Sequence, residues 1–170
     1  MSHPRELNYC PVCGHALEDR EAFGRVRRAC PACGRVIFTD LKVAAGVLVE
    51  RGGKVLLVRR SVGPRQRTWS FPAGFVEFDE HPAETAVREC REETGLEVEL
   101  TGILDIIGSE PQGAANIVIV YWARIVGGEL RAGDDADQVG FFAPEELPTL
   151  AFRATQIALA KWQDAQLGRV

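Results

Sequence analysis

Residues 74–96 read GFVEFDEHPAETAVRECREETGL, and the placing of acids against apolar residues in this stretch decides the fold. At ~100° per residue with Glu89 at zero, Glu93 falls near +40° and Glu92 near −60°, while Ala83, Val87, Cys90 and Thr94 gather between about +100° and +160°. One face of the predicted helix is apolar and the other acidic. Carboxylates at the ~5–6 Å spacing of helix neighbours repel by about 3 kcal/mol at an effective dielectric near 20. A hard divalent cation turns this repulsion into attraction, and an all-oxygen donor set selects Mg²⁺ or Mn²⁺ over zinc. The plainer alternative is a solvated amphipathic helix whose charge is softened by Arg88 and Arg91. The preceding residues, Trp69 to Gly74 (WSFPAG), form a turn whose Pro72 and Gly74 let backbone approach a ligand closely. His81 and Pro82 then open the helix, where a missing proline N–H costs nothing.

The spacing Gly74, five residues, Glu80, seven residues, then Arg88-Glu89-Cys90-Arg91-Glu92-Glu93-Thr94-Gly95-Leu96 resembles the Nudix box, G-x5-E-x7-R-E-U-x-E-E-x-G-U, with Cys90 as a small apolar U. The resemblance implies that Glu89, Glu92 and Glu93 bind the divalent metal and that Arg88 pairs with Glu80 to hold the loop on the helix. It further implies that Gly74 shapes the turn and that the Ala73 carbonyl joins the metal or substrate site. Asp79 stands where the family often has Gly.

At the N-terminus, Cys10-Pro-Val-Cys13-Gly and Cys30-Pro-Ala-Cys33-Gly are separated by sixteen residues, a C-x2-C…C-x2-C spacing of the zinc-ribbon kind. Four cysteines close a tetrahedral Zn²⁺ and leave no position for catalysis. Two disulfides are the alternative. The stretch Met1 to Cys10 has no apolar signal-like core, and Cys90 is a fifth cysteine, so an intracellular, cytoplasmic setting and zinc are the expectation. So short a segment needs the metal to fold.

The composition, 46% hydrophobic in 170 residues, suits one core domain plus a small appendage, with residues 1–40 as the ribbon and 41–170 as the main domain. No run approaches the ~20 apolar residues of a membrane span. A formal charge of −4, and seven Lys and Arg against five Asp and Glu in residues 1–42, argue against a nucleic-acid partner and favour scaffolding or a homodimer for the ribbon. Val43 to Glu50 and Val55 to Arg59 read as strands joined at Gly52-Gly53. Leu96 to Ile107, Asn116 to Val126 and Val139 to Phe142 read as further strands, with the second one central. Thr155 to Leu167 reads as a closing helix. The fold class is therefore α/β, and the resemblance makes it a Nudix α/β/α sandwich with a mixed sheet, preceded by a zinc ribbon.

The resemblance implies hydrolysis of the diphosphate in a nucleoside diphosphate linked to another group. The base that takes a proton from water is one of the helix glutamates or an acid of the late loop Gly133-Asp134-Asp135-Ala136-Asp137, where Asp135 or Asp137 fits best. Arg59, Arg60, Arg65 and Arg67 are candidates to grip phosphate, Arg60 foremost. Trp69, Phe71, Tyr121, Trp122 and Phe152 are candidates to stack on a base, with Trp69 placed in the substrate site. The S-Q-P-W-P-F-P-x-S run of NADH pyrophosphatases is absent after Gly95, which leaves ADP-ribose or FAD as the expected small-molecule substrate. A regulatory module that senses a nucleotide on the same fold is the alternative, and the intact acid set weighs against it.

Overall fold

In Val43–Arg51 (β3) successive side chains enter opposite apolar layers, and this alternation sets the architecture. Ala45, Val47 and Val49 belong to one buried cluster and Leu48 to the other, the pattern of a strand covered on both faces. Lys54–Arg60 (β4) repeats it, with Leu56 on one side and Val55 and Leu57 on the other. The computed structural model describes residues 7–38, 41–63, 65–108 and 117–168. Asn116, the expected start of the central strand, and residues 1–6 lie outside these.

The chain divides into two compact units, Met1–Asp40 and Leu41–Val170. In the second, Trp69–Ser70 (β5), Ala73–Phe75 (β6), Leu96–Gly108 (β7), Ile117–Gly128 (β8) and Ala136–Phe142 (β9) join β3 and β4 in a seven-stranded mixed sheet. β3 and β4 pair only beside their Gly52-Gly53 turn, at Glu50↔Val55 and Arg51↔Lys54. Beyond it β3 pairs with β6 and, in parallel, with β8, while β4 pairs with β5 and β9. β8 lies between β3 and β7, as its apolar run implies.

Pro82–Thr94 (α1) covers one face and Arg153–Gln166 (α2) the other, giving the α/β/α sandwich expected from the sequence. A capping box starts α1: His81 Nδ1 accepts from the Ala83 amide at 3.2 Å, and the Glu84 carboxylate accepts from the His81 amide at 3.0 Å. Gly95, at φ 71°, ends it in the left-handed conformation that only glycine adopts without cost. Ala86 and Thr85 are fully buried beside Cys90, so the inward face of α1 is broader than the wheel suggests.

In the first unit, Glu18–Ala22 (β1) and Arg25–Ala29 (β2) form an antiparallel hairpin. Each C-P-x-C turn closes with an amide reaching back, Gly14 N–H to the Cys10 carbonyl at 2.9 Å and Gly34 N–H to the Cys30 carbonyl at 3.0 Å. Cys10, Leu17 and Cys30, with Ile37 against them, make up a very small core. No helix among the described residues is long and apolar enough to cross a membrane.

Candidate active site

Two contacts at the end of α1 assemble the site. The last carbonyls of a helix lack partners within it, and here the Arg131 amide donates to the Thr94 carbonyl at 2.9 Å and the Gly133 amide to the Glu93 carbonyl at 3.2 Å. The β8–β9 loop is thereby laid along the acidic face. Asp134, at φ 51°, turns its carboxylate toward the helix, a conformation Asp tolerates better than most residues. Oxygens of Glu89, Glu92 and Asp134 lie within 4.8 Å of one another.

Oxygens bound to one octahedral Mg²⁺ at about 2.1 Å stand roughly 3–4 Å apart, so small rotations would let these three share an ion. The donor set is all oxygen, and Gly74 leaves the room: a Cβ there would lie 1.9 Å from Glu89 Oε1. These residues fit a hard divalent cation. Arg88 already bridges two of them, its Nη1 donating to Glu89 at 2.7 Å and Glu92 at 2.9 Å. Its Nε and Nη2 clasp Glu80 at 2.6 and 2.9 Å, and Thr85 Oγ1 donates to the same carboxylate at 2.7 Å. The Glu80–Arg88 pair read from the sequence is thus present.

Glu93 is placed differently from its neighbours. It is 4% exposed and accepts from the Ala73 amide at 3.1 Å. Burial, and then the facing carboxyl of Asp135, push its pKa well above the usual range. Glu89 is also raised, chiefly by burial and against the opposing pull of Arg88. Glu80 is lowered to about 2 by Arg88 and then by Thr85.

The signs predict a pH profile. A raised carboxylate loses stability for the fold as pH rises through its folded pKa, so Glu89 and Glu93 favour mild acid. Glu80 contributes stability above its unfolded value of 4.5, and that contribution is lost as pH falls toward about 2. Melting temperature should therefore rise on mild acidification and then drop between about pH 4.5 and 2. Arg88→Gln should flatten the acid limb. An unchanged limb in that variant would assign it to another carboxylate.

A cavity of 410 Å³ opens beside these acids, and Glu89, Glu93, Asp134 and Asp135 line it together with Ala73, Gly74, Arg60, Arg65 and Phe152. The guanidinium carbons of Arg60 and Arg65 lie 5.1 and 5.5 Å from the centre of the Phe152 ring, and Arg65 Nη1 donates to the Ala151 carbonyl. Arg60 Nε is buried without a partner among the described residues.

Several expectations are corrected. Asp137 does not join the acids, because Arg59 holds it bidentately at 2.8 and 2.9 Å. Trp69 does not line the cavity: it packs edge-on to Phe142 at 4.7 Å between ring centroids, against the α2 side of the core. Tyr121 is a core residue and Trp122 packs on the α2 side. Asp134 is the loop acid that joins Glu89 and Glu92, and its sequence signal is Gly133-Asp134, a pair suited to a tight reversal just ahead of a strand.

The first unit supplies a second cluster. Sγ atoms of Cys10, Cys13, Cys30 and Cys33 lie within 4.8 Å of one another, with Cys10–Cys33 at 3.6 Å and Cys13–Cys30 at 3.4 Å. Sulfurs on a tetrahedral Zn²⁺ at about 2.3 Å stand roughly 3.8 Å apart, so the four fit zinc, and none is in a disulfide. Amides of Cys13 and Val12 lower the Cys10 thiol to about 6, and that of Cys33 lowers Cys30, which favours thiolate.

Residues 40–163 match the NUDIX domain model. The chain belongs to the NUDIX family. Among curated NUDIX relatives, it is 41% identical over 113 residues to the ADP-ribose pyrophosphatase of Methanocaldococcus jannaschii, covering 65% of this chain and 66% of that protein. It is 34% identical over 150 residues to the NAD-capped RNA hydrolase NudC of Pseudomonas aeruginosa, covering 86% of this chain and 51% of that one. The chain thus spans between about half and two thirds of the length of these relatives. The crystal structure of a NUDIX hydrolase from Nitrosomonas europaea is similar to it at a TM-score of 0.85 and 27% identity, covering 96% of this chain and 94% of that one.

Proposed function

We propose that this NUDIX chain hydrolyses the diphosphate bridge of a nucleoside diphosphate joined to a second group, with ADP-ribose the preferred substrate, releasing AMP and the phosphorylated partner. One observation carries the reading: a single cavity joins the acids of α1 and the β8–β9 loop to Arg60, whose buried Nε has no partner among the described residues. A cavity of 410 Å³ is within the ~300–1,000 Å³ of small-ligand sites. The likeness to an ADP-ribose pyrophosphatase supports the substrate class.

Glu89, Glu92 and Asp134 would hold Mg²⁺ or Mn²⁺, which when bound neutralises phosphate charge and makes water more acidic. Arg60 and Arg65 grip the phosphate oxygens that face away from the acids by charge-assisted hydrogen bonds. Phe152 offers its ring face to the base or sugar. Glu93, buried beside Asp135 with its carboxyl made more basic than a free glutamate, accepts the proton of the attacking water. The water oxygen bonds to phosphorus, the bridging P–O bond breaks, and its electron pair leaves with the departing phosphate. Four cysteines around zinc would organise the first unit.

The test is turnover of ADP-ribose, FAD, NADH, ADP-glucose and dATP, with and without Mg²⁺. ADP-ribose should be cleaved fastest, and Arg60→Gln should raise its KM by about tenfold, the loss of one charged hydrogen bond. If none of the five is cleaved with Mg²⁺ present, the reading fails. A second reading, hydrolysis of NADH or of an NAD-derived RNA end, is favoured by the NudC likeness over 86% of the chain. A higher kcat/KM for NADH in the same assay would select it.

A further inference from the structure

The first unit has nearly balanced charge in its sequence, but its strand register sorts that charge by face. Paired residues in an antiparallel ladder point to the same side and successive residues to opposite sides. The pairs Arg20↔Arg27 and Ala22↔Arg25 therefore share one face, and Asp19↔Arg28 and Glu21↔Val26 the other. The second face is net acidic: Arg28 and Asp19 pair at 3.2 Å, and Glu21 faces the uncharged Val26. On the first, Glu18 stands at the end remote from the turn, opposite Ala29, and the turn end carries only arginines.

Aromatic rings extend that basic face. The Val36–Phe38 segment runs along β2, bridging Ala29↔Val36 and donating from Ile37 N–H to the Arg28 carbonyl. Phe38 thereby lies beside Arg27, whose guanidinium carbon is 4.9 Å from its ring centre. Phe23, at the tip of the hairpin, meets Phe38 at 5.6 Å between centroids. Phe23 is 77% exposed and Phe38 52% exposed, and Arg20 and Arg25 are exposed as well.

Two features of this face oppose stability. Arg20 directly opposite Arg27 is a like-charge cross-strand pair, which costs stability. Phe23 holds φ 53° in a two-residue turn whose positions favour Gly, Asn or Asp, and a bulky residue there is strained by about 1–2 kcal/mol. Arg27 is half-buried and held in place by Nη1 bonds to the Ala22 and Phe23 carbonyls, while Arg20 and Phe23 are exposed, so an anion with flat rings would relieve the first cost and use the second.

We infer that this face binds single-stranded nucleic acid, with Arg20, Arg25 and Arg27 along the phosphates and Phe23 and Phe38 under unstacked bases. Interleaved cations and exposed aromatics are the pattern of sequence-tolerant single-strand binding. A second copy of the chain is disfavoured as occupant, because a two-fold contact would set the arginine rows against each other. The near-balance of seven Lys and Arg against five Asp and Glu in residues 1–42 averages over both faces and hides this one.

The test is fluorescence anisotropy of labelled 12-mers of U and of dT with the zinc-loaded full chain, beside a duplex of equal length. Either single strand should bind more tightly than the duplex, and the relative affinities tell RNA from DNA as the partner. Three phosphate contacts predict a slope of log K against log salt near −2, at about −0.7 each. Phe23→Gly supplies the residue the turn prefers, so the hairpin should keep its zinc and melting temperature while affinity falls about tenfold, within the range for losing one stacked base. Arg20→Gln with Arg25→Gln should make the slope shallower by about 1.4. The inference is overturned by absence of binding at low salt, by equal affinity for duplex, by full competition from polyglutamate, or by affinities unchanged in the variants. A dimer that Phe23→Gly dissociates would assign the face to self-association instead. Substrate turnover is not read in this assay, so it succeeds or fails separately from the hydrolase proposal.

Discussion

Glu89→Gln should lower turnover by about 10²- to 10⁴-fold, the scale of losing several kcal/mol of charge stabilisation at the transition state, while leaving the melting temperature unchanged or slightly raised. The two effects separate because of where the carboxylate sits. Its side chain is only 12% exposed, and burial already disfavours its charged form, so a neutral amide of the same shape relieves desolvation. Arg88 keeps Glu80 and Glu92 as partners, so α1 stays anchored. Gly74→Ala should act in the same direction by another route, because its methyl would occupy the place of the Glu89 carboxylate and turn it away from Glu92 and Asp134. The measurement is kcat and KM on the best substrate beside a thermal melt. Near wild-type turnover in Glu89→Gln would remove that residue from the proposed metal site.

Cys30→Ser should unfold the first unit and leave the second folded and active. The unit Met1–Asp40 has a buried cluster of only Cys10, Leu17 and Cys30 backed by Ile37, far too little apolar area to offset ordering its backbone. Structural zinc contributes about 10–16 kcal/mol in small fingers. Trypsin should then cut at Arg20 and Arg25 within minutes while Leu41–Val170 resists, and kcat should change by less than about twofold. One zinc per wild-type chain by elemental analysis is the companion result. Retained protection and a full complement of zinc in Cys30→Ser would separate this unit's folding from the metal.

What the sequence disclosed was whatever is encoded at short range. The acidic row of α1 follows from spacing along one helix, the Glu80–Arg88 clasp from the family motif, and the four-cysteine cluster from two C-x2-C turns. The strands of residues 43–50 and 55–59 were legible as apolar runs about a Gly-Gly turn, while the two-sided sheet followed from the family resemblance. Asp134 was harder, because its approach depends on a loop from the far side of the domain docking on the α1 carbonyls of Glu93 and Thr94. Trp69 and Phe152 are alike on paper, and only the packing of one against Phe142 and the other beside Arg60 separates core from cavity wall. Glu93 shows a subtler limit. A helical wheel sets it among the acids but cannot show that the Ala73 amide and Asp135 enclose it. The charge count of the first unit has a related limit, since summing residues discards the alternation that sorts them onto two faces.

The parallel pairing of residues 43–49 with 117–123 bears on how this chain is made. A ribosome releases the first of these strands long before the second, so the nascent domain carries an apolar ribbon whose lateral partner does not yet exist. Distant pairings of this kind form slowly and leave sticky intermediates. Truncations ending before Gly128 should therefore accumulate as insoluble material, and yield in expression should respond to chaperone supply more strongly than the stability of the finished molecule would suggest.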